Sequence, residues 1–183
     1  MTKQATCKVC KCKYIKTRPL QSVCGFACAQ LIVIQNKAKI VRIETKRRKE
    51  ALLTRSDWVK KAQVAFNAYI RARDINQPCI SCGKPLKLEA VGGGYDCGHY
   101  RSVGSAPHLR FNEHNAHGQC KKCNNWLSGN VVNYRLGLIE RIGLSNVNIL
   151  ESDQCLTKYT MDGLQELTKQ YRELARREKA KHE

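Results

Sequence analysis

The fold is decided by two short cysteine pairs, PCISCGK at residues 78–84 and QCKKC at residues 119–123. Each pair has the CxxC spacing that lets both thiolates reach one tetrahedral zinc ion. Disulfides, unpaired thiols or another metal are the alternatives. Zinc would organise residues 78–129, which are rich in Cys, Gly, Asn and His and lack helical periodicity. The predicted ligands are Cys79, Cys82, Cys120 and Cys123.

The interval between these pairs contains all the histidines except His182. A purely structural zinc ribbon does not need so many titratable side chains, although ordinary packing or surface histidines remain an alternative. Phosphodiester hydrolysis needs a general base with a pKa near neutrality and a cation that neutralises developing charge. The interval therefore predicts a catalytic centre, and the candidate residues within it are Asp96, His99, Asn115 and His117. For His108 and His114 we favour loop packing or DNA contact.

A second group of cysteines begins the chain. Residues 1–28 form a segment too short to fold without a stabilising cross-link such as a bound metal, which predicts an N-terminal zinc knuckle. Its predicted ligands are Cys7, Cys10, Cys24 and Cys28. The start of the sequence has no apolar h-region, which favours reduced thiols used as metal ligands. The remaining cysteines, Cys12, Cys97 and Cys155, are interpreted as structural or incidental thiols.

Helical patterns surround the cysteine-rich stretch. Residues 29–55 contain neither Pro nor Gly and predict a long helix that is basic in its second half. A helix over 56–75 would be capped by Ser56, and a helix over 130–142 would end at Gly143. A last helix is predicted over 161–178. The expected inward faces are Trp58, Ala62, Ala65, Phe66, Tyr69 and Ile70 in the second helix, Val132, Leu136, Leu138 and Ile139 in the third, and Leu164, Leu167, Tyr171, Leu174 and Ala175 in the last.

These elements predict an α+β fold in which helices surround a small zinc-stapled core. The expected organisation is an N-terminal zinc knuckle over 1–28, a long basic helix or linker over 29–55, a zinc-containing nuclease domain over 56–143 and a C-terminal helical segment over 144–183. Three consecutive glycines, Gly92 to Gly94, lack a following GK[ST] and a GxGxxG context. They predict a hairpin tip and not a nucleotide-binding loop.

Charge points to a polyanionic partner. The chain has 33 Lys and Arg against 15 Asp and Glu, a formal net charge of +18. Nucleic acid explains this imbalance best. A role in solubility alone and binding to anionic lipid are alternatives, but no amphipathic segment is rich in aromatics and no apolar run could span a bilayer. Candidate phosphate contacts are Lys46, Arg47, Arg48, Lys49, Arg101 and Arg110, for which solvated surface positions are the alternative.

The cysteine-rich stretch resembles the zinc-stapled HNH (ββα-metal, His-Me finger) nucleases. The shared elements are an Asp/His-containing strand (YDCGHY), a central Asn before a CxxC, and a polar residue after the last cysteine (NEHNAHGQCKKCNN). This resemblance implies that His99 activates water, that Asn115 orients His99, and that Asn124 is a ligand of Mg²⁺ or Mn²⁺. Many HNH sequences carry an acidic ligand immediately before the base. Gly98 stands there in this chain, and Asp96 is the candidate carboxylate.

Longer segments resemble the NinG (Rap) family of lambdoid phage recombination proteins. They are KKAQVAFNAYIRARD, PCISCGK, GHYRSVGSAPHLRF, N-x-H-x-QC-x-x-CN, SGN and YRLGLIERIG. The resemblance implies a phage- or prophage-encoded endonuclease that cuts branched DNA, such as Holliday junctions and D-loops, in the cytoplasm of a bacterial host. A recombinase or single-strand-binding protein is a candidate partner.

An enzyme that resolves a junction must cut two strands placed symmetrically about it, which favours a two-fold homodimer. The candidate interfaces are residues 29–55 and the C-terminal helix. Two other functions stay open at this point. One is a non-catalytic zinc-finger DNA-binding accessory protein in recombination. The other is a sequence-specific HNH nuclease that reads base edges instead of junction shape.

Overall fold

The computed structural model describes residues 4–86, 94–155 and 158–182. The chain divides into two compact units, residues 1–53 and residues 54–183, and each is described by itself. The mixed helix and strand content confirms the predicted α+β class, while the HNH character of the core stays a prediction. Of the predicted glycine tip, Gly92 and Gly93 lie outside the described residues. No helix in the described ranges is both long enough and apolar enough to cross a membrane.

The first unit consists of a small hairpin and a long helix. Strand β1 (Gln4–Thr6) pairs antiparallel with β2 (Lys13–Ile15). Helix α1 spans Phe26–Ala51, so it starts and ends earlier than the predicted residues 29–55, and none of its residues is buried. Its last turn carries Arg48 and Lys49, which is favourable because cations interact well with the negative end of a helix dipole.

The core of the second unit forms between helices α2 (Arg55–Arg73) and α5 (Met161–Ala180). Phe66 and Tyr171 meet edge to face with ring centroids 4.9 Å apart. The predicted inward faces of both helices are confirmed, and their buried residues are Ala62, Ala65, Phe66, Tyr69 and Ile70 with Leu164, Tyr171 and Ala175. The predicted cap Ser56 is wrong. Thr54 caps α2 because its hydroxyl and Asp57 form a reciprocal capping box.

A two-stranded sheet lies against this helical pair. Strand β3 (Tyr95–His99) pairs antiparallel with β4 (Ala116–Cys120), with His99 opposite Ala116. A π-helical turn (Lys122–Trp126) follows β4. Cys97 joins the core beside α2, and His99 packs near Phe66 at a centroid distance of 6.0 Å. Because side chains alternate along a strand, Asp96 and Gly98 lie on the face of β3 opposite to the one that carries Cys97 and His99.

Helices α3 (Val131–Ile142) and α4 (Leu144–Ser152) form a second core with Ile80 and Leu109. The predicted inward face of α3 is wrong at Val132 and Leu136, which are 77% and 56% exposed. The predicted Leu138 is buried, and Tyr134, one helical turn before it, is buried as well. Helix α4 was not predicted. It starts directly after Gly143, whose φ of 83° ends α3 and turns the chain into the next helix.

Candidate functional site

Two cysteine quartets each bring four sulfur atoms together. In each quartet the four Sγ atoms lie within 4.8 Å of one another. The first quartet is Cys7, Cys10, Cys24 and Cys28, and the second is Cys79, Cys82, Cys120 and Cys123. Each cluster could hold a metal ion, and four thiolates are the ligand set of structural zinc. The predicted grouping of the cysteines is therefore confirmed.

The second quartet is built from three elements of the second unit. Cys79 and Cys82 lie on the turn that follows α2, where Gly83 adopts a positive φ of 67° and its amide donates to the Cys79 carbonyl at 2.9 Å. Cys120 ends β4, and Cys123 lies in the π-helical turn. A metal at this point would join α2, the sheet and the π-helical turn.

Hydrogen bonds to sulfur support these ligands. The backbone amide of Cys120 donates to Cys79 Sγ at 3.3 Å, and Asn130 Nδ2 donates to Cys123 Sγ at 3.6 Å. Burial alone would raise the pKa of Cys79, but the backbone amides of Cys120, Cys82 and Ser81 hold that pKa below its usual value. Such donors orient thiolates and stabilise their charge.

A fifth thiol, that of Cys12, lies beside the N-terminal quartet, although Cys12 was not predicted to belong to it. Cys12 Sγ lies 3.0 Å from Cys10 Sγ, so the C-x-C spacing of these residues was the signal for a fifth nearby thiol. Burial raises the pKa of Cys7, but backbone hydrogen bonds from Cys10, Cys24 and Val9 outweigh it and lower the value to about 6. Cys7 is therefore mostly a thiolate at neutral pH, the form that binds metal.

Three polar side chains meet on one face of β3. Asp96 Oδ2 accepts hydrogen bonds from Asn124 Nδ2 at 3.2 Å and from Asn125 Nδ2 at 3.1 Å. The π-helical turn that carries both asparagines begins next to Cys120 and contains Cys123, so the cysteine quartet fixes their position. The structure thus joins the predicted Asp96 and Asn124, and it adds Asn125, which the sequence analysis did not single out.

Gln119 fills the place beside Gly98 on this same face. Gln119 is fully buried, and its Nε2 donates to Ser81 Oγ at 2.7 Å and to the Gly129 carbonyl at 2.6 Å. A Cβ at position 98 would lie 2.1 Å from Gln119 Oε1. This contact explains why position 98 has no side chain, and therefore no carboxylate before His99.

His99 ends β3 in a half-buried position. Its Nε2 lies 3.1 Å from the Arg110 carbonyl oxygen. Since a carbonyl only accepts, Nε2 carries the hydrogen and Nδ1 keeps a free lone pair. Burial lowers the pKa of His99 below its usual 6.5, which keeps the ring neutral at pH 7. His99 and Asp96 leave opposite faces of the strand, so these two side chains are not brought into contact.

Asn115 is completely buried and holds the backbone that follows His99. Its Oδ1 accepts from the Arg101 amide at 2.8 Å, and its Nδ2 donates to the carbonyls of Arg101 at 3.0 Å and Leu109 at 3.2 Å. Its own carbonyl accepts from the Tyr100 amide at 2.8 Å. The side chain therefore ties β3 to the loop that supplies the carbonyl partner of His99.

His117 lies inside a buried charged group, 3% exposed. Arg73 Nη2 donates to its Nδ1 at 2.9 Å, and its Nε2 donates to the His114 carbonyl at 3.3 Å. Asp74 lies beside it, with Oδ2 3.6 Å from Nδ1. Burial lowers the pKa of His117. Both ring nitrogens are thus engaged within the protein, and these contacts describe a packing position and not a metal ligand.

Two of the arginines predicted to contact phosphate, Arg101 and Arg110, have internal partners. Arg101 Nη1 donates to the carbonyls of Leu150 at 2.9 Å and Asp153 at 2.7 Å, where it caps the end of α4. Arg110 Nη1 donates to Gln63 Oε1 at 3.1 Å. The buried ring of His108 also contacts the end of α4, with its Nε2 3.0 Å from the carbonyl oxygen of Asp153. His114 is exposed. The predicted Lys46, Arg47, Arg48 and Lys49 are all exposed on α1.

The fold and these sites define a class, an α+β protein with two four-cysteine clusters that could each bind a metal ion. A family model described as Bacteriophage Lambda NinG protein matches residues 1–182. The chain therefore belongs to the NinG family.

Curated relatives agree with this assignment. Over 126 residues the chain is 46% identical to Protein ninG of Salmonella phage P22 and 45% identical to Protein ninG of Escherichia phage lambda. These matches cover 69% of this chain and 60% and 59% of the two relatives, so the chain spans about three fifths of their length. No solved structure matches the chain.

Proposed function

We propose that the protein is a divalent-metal-dependent DNA endonuclease that acts on branched DNA during phage recombination. The observation that carries the proposal is the contact between Asp96 and Asn124, made where a cysteine-stapled turn meets the strand that ends in His99. This strand–strand–helix order is the one that the HNH resemblance implies. Membership of the NinG family supports the recombination setting.

His99 is the proposed general base. Its hydrogen bond to the Arg110 carbonyl fixes the tautomer with a free Nδ1, and a neutral imidazole at pH 7 can accept a proton from water. Asn115 is the proposed positioning residue, because its three side-chain hydrogen bonds fix the backbone at Arg101, which follows that base, and at Leu109, next to its carbonyl partner Arg110. Neither role requires His117 or Arg101, whose polar atoms are occupied inside the fold.

Asp96 and Asn124 are the proposed holders of a catalytic Mg²⁺ or Mn²⁺. Asn124 contacts Asp96 through its amide nitrogen, and rotation of the amide group by half a turn would place its oxygen beside the carboxylate, a set of hard oxygen donors that suits either cation. When bound, the cation would neutralise negative charge that develops on the phosphate and the leaving oxygen. Asn125, which also donates to Asp96, orients that carboxylate.

The test compares cleavage of a labelled four-way junction and a linear duplex of matched sequence, with Mg²⁺ and with EDTA. We expect metal-dependent cutting of the junction by the native chain and by His114→Ala, a control that removes an exposed histidine from the short turn before β4. His99→Ala and Asp96→Asn should bind the junction and leave it intact. Cutting by His99→Ala at the native rate would contradict the assignment of the base.

A second candidate is a non-catalytic DNA-binding accessory protein, favoured by the +18 net charge and the exposed basic end of α1. It predicts a gel shift of both DNA forms with no product under any divalent metal. Either function is compatible with two further proposals, a homodimer and recruitment by a recombinase or single-strand-binding protein. Analytical ultracentrifugation at micromolar concentration tests the homodimer.

A further inference from the structure

Trp126 is a large aromatic side chain left in solvent beside the candidate site. It is 81% exposed and ends the π-helical turn, two positions after Asn124. Cα atoms two positions apart in a helix are separated by roughly 5.5 Å. The other tryptophan, Trp58, packs against the core of the second unit. Exposure of an aromatic of this size removes the usual benefit of burial, so the position of Trp126 needs a separate explanation.

The turn that carries Trp126 is fixed in place. The Leu127 amide donates to the Lys122 carbonyl at 3.0 Å, and the Gly129 amide donates to the Asn124 carbonyl at 3.0 Å. Buried Gln119 holds the carbonyl of Gly129 at 2.6 Å. Ser128 and Asn130 both adopt positive φ, 47° and 44°, which is costly for residues other than glycine. The exposure of Trp126 therefore belongs to a constrained turn and is not a consequence of a loose segment.

The surroundings of Trp126 combine an exposed apolar side chain, Leu127, with exposed positive charge. Lys122, on the same turn, is exposed, and the whole chain carries a net charge of +18. A positively charged surface with an exposed aromatic ring is the combination by which proteins bind unpaired nucleotides. Asn124, which with Asp96 is a proposed holder of the catalytic cation, stands two positions before Trp126 on the same turn.

We propose that Trp126 stacks on an unpaired base next to the phosphate that occupies the Asp96–Asn124 site. In a linear duplex each base face is covered by its neighbours, whereas a base at a branch point or in a single strand exposes one. Trp126 would therefore contribute to the preference for branched DNA without reading sequence, because every base has an aromatic face. The inference rests on the proposed function, since it places DNA at this site.

The test measures equilibrium binding of the full chain to a labelled four-way junction with an unpaired base at the branch and to a matched linear duplex, in EDTA, by fluorescence anisotropy. Trp126→Ala should weaken junction binding by roughly 5- to 150-fold, the range that loss of one stacked base produces, and leave duplex binding within about twofold. Val132→Ala is the matched control, because it removes a 77% exposed apolar side chain. Trp126→Phe should retain part of the affinity.

A spectroscopic measurement reports the contact itself. In a Trp58→Phe background, Trp126 is the one tryptophan that emits. Addition of a junction with an unpaired base at the branch should quench this emission, and the matched duplex should not. Equal junction affinities for Trp126→Ala and Val132→Ala, or equal losses on junction and duplex, would overturn the inference.

These outcomes are separable from those of the proposed function. Quenching and selective loss of junction binding, in a protein that cuts no substrate under any divalent metal, would support stacking and refute the nuclease. Cutting that depends on His99, with no quenching and no effect of Trp126→Ala, would refute stacking and leave the nuclease standing.

Discussion

Substitution of Gly137 by alanine tests how the helices support the second cysteine quartet. Gly137 lies on α3, and a Cβ added there would be 1.9 Å from the backbone oxygen of Ile80 and 3.1 Å from its carbonyl carbon. Ile80 stands between Cys79 and Cys82, and its amide is bonded to the Gly118 carbonyl at 3.1 Å. The oxygen belongs to the Cys79–Cys82 turn, which the bond from the Gly83 amide to the Cys79 carbonyl closes at 2.9 Å, so this turn or α3 must move by on the order of 1 Å.

Two effects of opposite sign compete in Gly137→Ala. Alanine is favoured over glycine in a helix interior by about 1 kcal/mol. Overpacking costs about 1–3 kcal/mol, and contact with a fixed backbone atom places this clash at the upper end of that range. We expect a net loss of about 2 kcal/mol in the free energy of unfolding and a Tm lower by roughly 6–10 °C.

The assay is urea denaturation followed by circular dichroism, with zinc release measured by a chromogenic chelator in the same samples. Val132→Ala, on the exposed side of α3, is the control and should change the free energy of unfolding by less than about 0.5 kcal/mol. Faster zinc release from Gly137→Ala is expected because the Cys79–Cys82 turn is displaced. A gain of about 1 kcal/mol would show that helix propensity dominates and would refute the packing argument.

Three further predictions concern a helix cap and two titrations. Thr54→Ala removes the reciprocal cap with Asp57 and should cost about 1 kcal/mol in thermal unfolding, while Ser56→Ala should cost less than half of that; equal losses would contradict the cap assignment. Burial raises the pKa of Asp74, but the Arg73 guanidinium and the Gly118 amide outweigh it and hold the pKa well below the usual 3.8, so this carboxylate contributes stability above about pH 4 that is lost as the pH falls further. Asp74→Asn should flatten the dependence of Tm on pH between 5 and 3, and an unchanged slope would count against it. Because burial holds the pKa of His99 below 6.5, cleavage should rise with pH through a value below 6.5 and be level by pH 7.5, and a rise centred above 7 would argue against His99 as the base.

The candidate site was only partly predictable from the sequence. Three CxxC pairs and the CxxxC pair Cys24 and Cys28 predicted both quartets, because ligand spacing in a short turn limits which thiolates can share a metal. The placement of Arg101 and His117 could not be predicted, since a charged side chain looks the same in sequence whether it faces solvent or caps another element. Their partners, such as Asp153 and Asp74, are remote in the sequence and come together only through packing.

Four properties could be predicted from the amino-acid sequence: the α+β class, the grouping of eight cysteines, the amphipathic faces of α2 and α5, and membership of the NinG family. These properties are local, since they depend on spacing within a turn or on one helical period. Tertiary structure decided which face of α3 is buried, that Gln119 fills the space above Gly98, and that Asn125 joins Asp96. Each of these depends on contacts between residues far apart in the chain, where close packing and hydrogen-bond satisfaction set the outcome and local periodicity does not.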